Sequence, residues 1–120
     1  MGERASIKVT HYDDGHIWLY SHWGGHEIVE TLAEGLARAK SAGRLTDPSY
    51  ATRIIFDTLT GCRGDDLGFG IHIGGDEPDS NYDNPHVLWA GAWGSEPSII
   101  YRDWIMSVDT FLERYAVLTA

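Results

Sequence analysis

The sequence predicts an α+β fold, a mostly antiparallel sheet with helices packed on it, in the order ββααβββα. Three observations carry this. Residues 5–23 alternate with period two around Asp13-Asp14-Gly15, residues 26–61 hold two apolar stripes at helical spacing, and residues 68–103 return to period two. A chain of 120 residues, 42% of them apolar, suits one domain over 1–120 and one core.

The first strand is read over 5–12, with Ile7, Val9 and His11 on one face. Asp-Gly between alternating runs is a hairpin signal, so a second strand follows from His16 to Trp23. Ile17 and Leu19 are expected to face the core, with His16, Trp18, Tyr20 and His22 on the other side. Gly24-Gly25 breaks the strand. Over 26–42, Ile28, Leu32, Leu36 and Ala39 recur at helical spacing, and Gly43 suits the residue just past the helix end. Glu27 and Glu30 near the start, and Arg38 and Lys40 near the end, complement the helix dipole. Asp47-Pro48 opens a second helix, which buries Ala51, Ile54, Ile55, Thr58 and Leu59 and stops at Gly61.

In the second half, Gly68–Gly74 points Phe69, Ile71 and Ile73 one way. Residues 75–86 contain Pro78, Asn81, Asn84 and Pro85 and read as a polar loop. Strands are expected at Val87–Trp93 and Ser98–Asp103. Ser107 can cap a final helix carrying Val108, Phe111, Leu112 and Tyr115.

Composition excludes several classes. The net charge is −9, and the stretch from Asp57 to Asp83 sets seven acids against Arg63 alone. With two lysines and scattered arginines there is no basic patch, so duplex nucleic acid is not an expected partner. No apolar run is long enough to span a bilayer, and the first residues lead into no apolar signal region. Gly2 with Ser6 fits the form of a myristoylation site, but Glu3 and the lack of a basic follow-up argue against it. A single cysteine, Cys62, suits a reducing compartment, so a cytoplasmic location is expected.

The stretch Tyr20-Ser-His-Trp-Gly-Gly-His26 holds the densest chemistry. Backbone N–H groups at a helix start favour an anion, and glycines admit close approach. The candidate ligand-binding residues are therefore Ser21, His22, Gly24, Gly25 and His26, with Arg53 as a phosphate partner if the second helix packs beside the turn. The bland alternative is a tight turn with Trp23 anchored in the core. Neither G-x-G-x-x-G nor a Walker lysine is present.

Six histidines raise the question of zinc. His22 and His26 have zincin spacing, but Gly24-Gly25 interrupts any continuous helix and no Glu follows His22, so no metal site is assigned. Asp79-Ser-Asn-Tyr-Asp83 opens like a calcium loop, yet Asn84 and Ala90 stand where Gly and Glu are required. No nucleophile constellation is present; Cys62 beside Arg63 is opposed by Asp65 and Asp66. Trp89 and Trp93 are read on one strand face, as core, interface or a stacking surface. A homodimer that covers part of the aromatic surface is expected.

The run Ile17-Trp-Leu-Tyr-Ser-His-Trp-Gly-Gly-His-Glu, then Leu45-Thr-Asp-Pro-Ser-Tyr-Ala-Thr-Arg-Ile-Ile-Phe and Gly68-Phe-Gly-Ile, resembles a family of small phage proteins. In that family a Tyr-Ser/Thr-His-Trp-Gly-Gly segment precedes one helix. A second helix with Asp-x-x-Tyr-x-x-Arg-Ile-Ile-Phe follows, and then a Gly-Tyr-Gly-Ile strand. Phe69 replaces the Tyr here, and the Asp76–Asn84 loop is longer. The resemblance covers about two thirds of the chain and implies a phage origin rather than an activity.

Three function classes follow. One is a non-enzymatic binding module that sequesters a phosphorylated or nucleotide-like ligand, in a phage setting a host immune signal, with no cofactor. The second is a protein-interaction inhibitor whose acidic stretch, residues 57–83, mimics nucleic acid or docks on a basic host surface. The third is a metal-dependent hydrolase.

Overall fold

A computed structural model of the chain describes residues 3–61 and 67–116. The chain forms β1 (Ala5–His11), β2 (His16–Ser21), a 3-10 turn (Gly25–Glu27), α1 (Ile28–Ser41), α2 (Pro48–Thr60), β3 (Phe69–Ile73), β4 (His86–Trp89), β5 (Ser98–Tyr101), β6 (Trp104–Ser107) and α3 (Val108–Tyr115). The fold is α+β, as the pattern predicts. Between the last expected strand and the final helix lies a further short strand, β6.

The six strands make one sheet in the order β3-β2-β1-β4-β5-β6. All pairings are antiparallel except β1 with β4, which run parallel. The parallel pair requires a long connection from β1 to β4, and α1 and α2 lie on it between β2 and β3. A strand cannot be followed by a parallel neighbour without a long crossover, and here β2, α1, α2 and β3 fill it. The parallel β1–β4 pair joins two antiparallel halves, β3-β2-β1 and β4-β5-β6.

One apolar cluster fills the space between sheet and helices. Ile7, Val9 and Leu19 from the first hairpin meet Leu32 and Leu36 of α1, Ile55 of α2 and Phe111 of α3. The helix stripes read from the sequence are the buried ones, with Thr52 added and Thr58 only half covered. Gly61 closes α2 at φ +64, the left-handed conformation that favours glycine. Ser107 caps α3 by accepting the Thr110 N–H at 3.1 Å. Exposed ion pairs tie α1 to its neighbours, Arg38 to Asp57 at 2.9 Å and Lys40 to Asp109 at 2.7 Å. Each contributes at most about 1 kcal/mol in water.

Several expectations are corrected. The first turn begins a residue early, at Tyr12, which adopts φ +51, so four residues and not Asp-Gly alone reverse the chain. The strand read as Val87–Trp93 stops at Trp89. Trp93 lies in the following loop, 84% exposed and stacked 4.8 Å from Tyr12, while Trp89 is buried. The two rings therefore share no face. Trp23 is also outside the core, 58% exposed, in the turn that follows the end of β2. The readings that rest on Gly2, Cys62, Arg63, Asp65 and Asp66 lie outside the described residues. Among the described residues no helix is long and apolar enough to cross a membrane.

Two histidines are held neutral by the fold. Burial, with Lys8 and His16 nearby, pushes His86 down to about 4, and its Nε2 lies 2.7 Å from Thr10 Oγ1. Burial also lowers His11, which joins α2 through Thr52 Oγ1 at 2.8 Å, against a weaker opposing pull from Asp14. In the unfolded chain both rings take a proton near their ordinary value of about 6.5. Their contribution to stability is therefore intact above about pH 6.5 and is lost progressively down to the folded value. The melting temperature should fall by several degrees between pH 7 and pH 5, before the carboxylates titrate. In His86→Gln that fall should shrink. An unchanged pH profile in the variant would show that His86 is not the titrating group.

Candidate functional site

The Ser-His-Trp-Gly-Gly-His turn is built by local hydrogen bonds. Ser21 is the last residue of β2, buried on the helix side, and its Oγ accepts the Gly24 N–H at 3.1 Å. The Gly25 N–H reaches the Glu3 carbonyl at 2.7 Å, and the Glu27 N–H reaches the Gly24 carbonyl at 3.1 Å. Gly25 is required by crowding. A Cβ there would strike the Glu3 carbonyl oxygen and lie 2.8 Å from the Tyr82 ring. The predicted loose helix start is thus a packed junction, and three of its donors already have protein acceptors.

His26 projects from this turn and is hydrogen-bonded through Nδ1 to Glu3 Oε1. Tyr82 donates to the other oxygen, Glu3 Oε2, at 2.8 Å. The Tyr82 bond, and second the His26 bond, hold the Glu3 carboxyl below the usual carboxylate range. The same bond raises Tyr82. The carboxylate that an anionic ligand would have to replace is therefore supplied by the chain itself.

The loop over 75–86 is fixed to the N-terminal segment and forms a wall beside His26. Asn81 exchanges two bonds with Arg4, N–H to carbonyl at 2.8 Å and Oδ1 to N–H at 3.0 Å. Asn84 Oδ1 accepts the Ser6 N–H at 2.8 Å. On the far side, Arg102 sits at φ +55 in the tight β5–β6 turn and its Nε donates to Asp83 Oδ2 at 2.9 Å. That bond raises Arg102 further above its ordinary value. Tyr101 and Tyr115 meet edge to face at 5.6 Å between centroids.

These elements enclose a cleft of about 640 Å³. His26, Glu30, Glu77, Tyr82, Asp83 and Arg102 line it, with Tyr101 and Tyr115. Arg102 is paired with Asp83 and His26 with Glu3, whereas among the described residues no hydrogen bond or ion pair involves the Glu30 or Glu77 carboxylate. Unpaired negative charge beside three phenol rings attracts a cationic group and repels a phosphate.

The predicted site residues do not all converge. Gly25 and His26 line the cleft. Ser21 and Gly24 line a smaller hollow with His26, toward Thr58 and Phe69. His22 stands on the other sheet face, bonded through Nδ1 to Tyr20 Oη at 2.8 Å and edge-on to Trp23. Arg53 is exposed near Ser41 and Ala42, at the far end of α1 from the turn, and is no partner for it. A 14-residue helix is about 20 Å long, which sets the separation. Glu3, Glu30, Tyr82, Tyr101, Arg102 and Tyr115 are the site residues that sequence reasoning missed. Among the described residues no group of three or more His, Cys, Asp or Glu is placed to hold a metal ion. Compared with family models, curated proteins and solved structures, the chain matches none.

Proposed function

We propose that the chain is a small phage-type accessory protein, a non-enzymatic binding module that works in the host cytoplasm. Its cleft receives a cationic side chain, Lys or Arg, from a host protein, and binding inhibits that partner. The observation that carries this reading is the pairing pattern: Arg102 and His26 already have carboxylate partners, and Glu30 and Glu77 are left over. The three tyrosines add ring faces to which an ammonium or guanidinium group is drawn. The phage setting is supported by the Tyr-Ser-His-Trp-Gly-Gly resemblance.

Sequestration of a phosphorylated or nucleotide-like ligand is the second reading. What favours it is that His26 and Arg102 face the same cleft. Such a ligand would have to displace Glu3 from His26 and Asp83 from Arg102, and it would still meet Glu30 and Glu77.

Calorimetric titration with a short Lys- and Arg-rich peptide, in parallel with a panel of nucleotides, separates the two. Peptide binding is expected, weakened at least about tenfold by Glu30→Gln with Glu77→Gln and weakened again by added salt. Nucleotide binding without peptide binding would replace the first reading by the second. Peptide binding that ignores the double substitution would move the site away from the cleft.

A further inference from the structure

The geometry points to a homodimer that pairs the free edges of two β3 strands about a two-fold axis at Ile71, an inference independent of what the cleft binds. Among the described residues β3 ends the sheet, with β2 on one side and no strand on the other. The His22 N–H to Gly68 carbonyl bond and the Gly74 N–H to His16 carbonyl bond, both 2.9 Å, fix which residues face inward. In an antiparallel ladder the bonded residues alternate. Gly68, Gly70, His72 and Gly74 therefore spend their backbone groups on β2. Phe69, Ile71 and Ile73 aim theirs at the open edge.

Those three residues are self-complementary. A second copy turned about an axis at Ile71 sets Ile71 opposite its own counterpart and Phe69 opposite Ile73, in both directions. Every bonded pair is then apolar, and the ladder gains up to six main-chain hydrogen bonds. On the other sheet face His72 falls opposite Gly70, where nothing lies within 4 Å of a would-be Cβ. Ile71 is 51% exposed and Ile73 is 86% exposed, so the apolar side chains that would meet across the axis are largely uncovered in a single copy.

Charge within the strand does not oppose the pairing. The stretch 67–75, Leu-Gly-Phe-Gly-Ile-His-Ile-Gly-Gly, has no acid and no lysine or arginine in a chain of net charge −9. Two copies can meet there without like charges in register. Edge strands that stay unpaired in monomers usually carry a lysine, a proline or a bulge, and β3 has none of these. The opposite edge differs: β6 has four residues, begins beside Arg102-Asp103, and has the Arg114 guanidinium 5.8 Å from the Trp104 ring.

Light scattering on the purified chain over micromolar to millimolar loading tests the pairing. The wild type should reach twice the monomer mass, and Ile71→Lys, which sets two ammonium groups face to face, should halve it. Ile71→Pro should do the same, since it removes only the outward N–H, and circular dichroism should show that both variants fold. Ile105→Lys on the other edge should leave the dimer intact. In a Cys62→Ser background, Ile71→Cys should oxidise to a covalent dimer, because bonded antiparallel partners sit about 5.5 Å apart at Cα, within disulfide reach. A wild type that stays at monomer mass would overturn the proposal. So would a dimer that survives Ile71→Lys and gives no crosslink.

Discussion

Trp89→Ala should cost about 3–5 kcal/mol in equilibrium denaturation, while Trp23→Ala should stay within about 1 kcal/mol of wild type. Trp89 is 1% exposed at the end of β4, and its Nε1 donates to the Leu45 carbonyl at 2.9 Å inside the core. His11 packs edge-on against the ring at 5.4 Å. The indole thus pins the α1–α2 connection to the sheet, and removing it opens a cavity and leaves a buried carbonyl without its donor. Trp89→Phe separates the two effects: it keeps most of the volume and should lose about 1–3 kcal/mol, from the orphaned carbonyl and the remaining gap. Trp23 has no such role, with most of its ring in water. Urea titration followed by far-UV circular dichroism measures all three variants. Equal losses for Trp89→Ala and Trp23→Ala would mean that the core is wrongly assigned.

That contrast marks how far the sequence could be read. Periodicity reports which side of an element is apolar, so Ile7, Leu19, Leu32, Ile55 and Phe111 were legible before any coordinates. It fails where an element ends, because a side chain past the last residue of a strand has no face. Trp23 and Trp93 both follow a strand end, and both are exposed. The short β6 was hidden by its reversal at Arg102-Asp103. Arg102 adopts a positive φ without being glycine, so no Asn-Gly or Asp-Gly signal marked the turn.

The candidate site was legible only in its local part. The Gly24-Gly25 junction and His26 stand out in the sequence, and they are where a cleft opens. The residues that give the cleft its sign come from elsewhere. Glu3 lies 23 positions before His26, and Tyr82 lies 79 positions after Glu3. Nothing in the local pattern links them, and contact depends on the parallel β1–β4 pairing that brings the 75–86 loop beside the N-terminal segment. The anionic-ligand expectation rested on free helix-start donors, and Ser21, the Gly24 carbonyl and the distant Glu3 carbonyl satisfy them.

Gly35→Leu should destabilise the protein by about 1–3 kcal/mol or more, although glycine is a poor helix residue. Gly35 lies mid-way along α1 and is buried against α2. A Cβ built there would approach the Ile55 Cα to 3.1 Å and Ile55 Cγ1 to 3.3 Å. The first of these is backbone, so relief requires the two helices to part rather than a side chain to rotate. Both helices are fixed on their other faces by the sheet and by Arg38, which bonds Asp57 and Thr58 of α2. Gly35→Ala sets two effects of opposite sign against each other: about 1 kcal/mol gained from helix propensity and a comparable loss from a contact a few tenths of an ångström too close. Its net change should be near zero, whereas a larger side chain has only the loss. The series Ala, Val, Leu at position 35, measured by urea denaturation, should therefore fall steeply after Ala. A Leu variant as stable as wild type would show that α1 and α2 are not held at glycine distance.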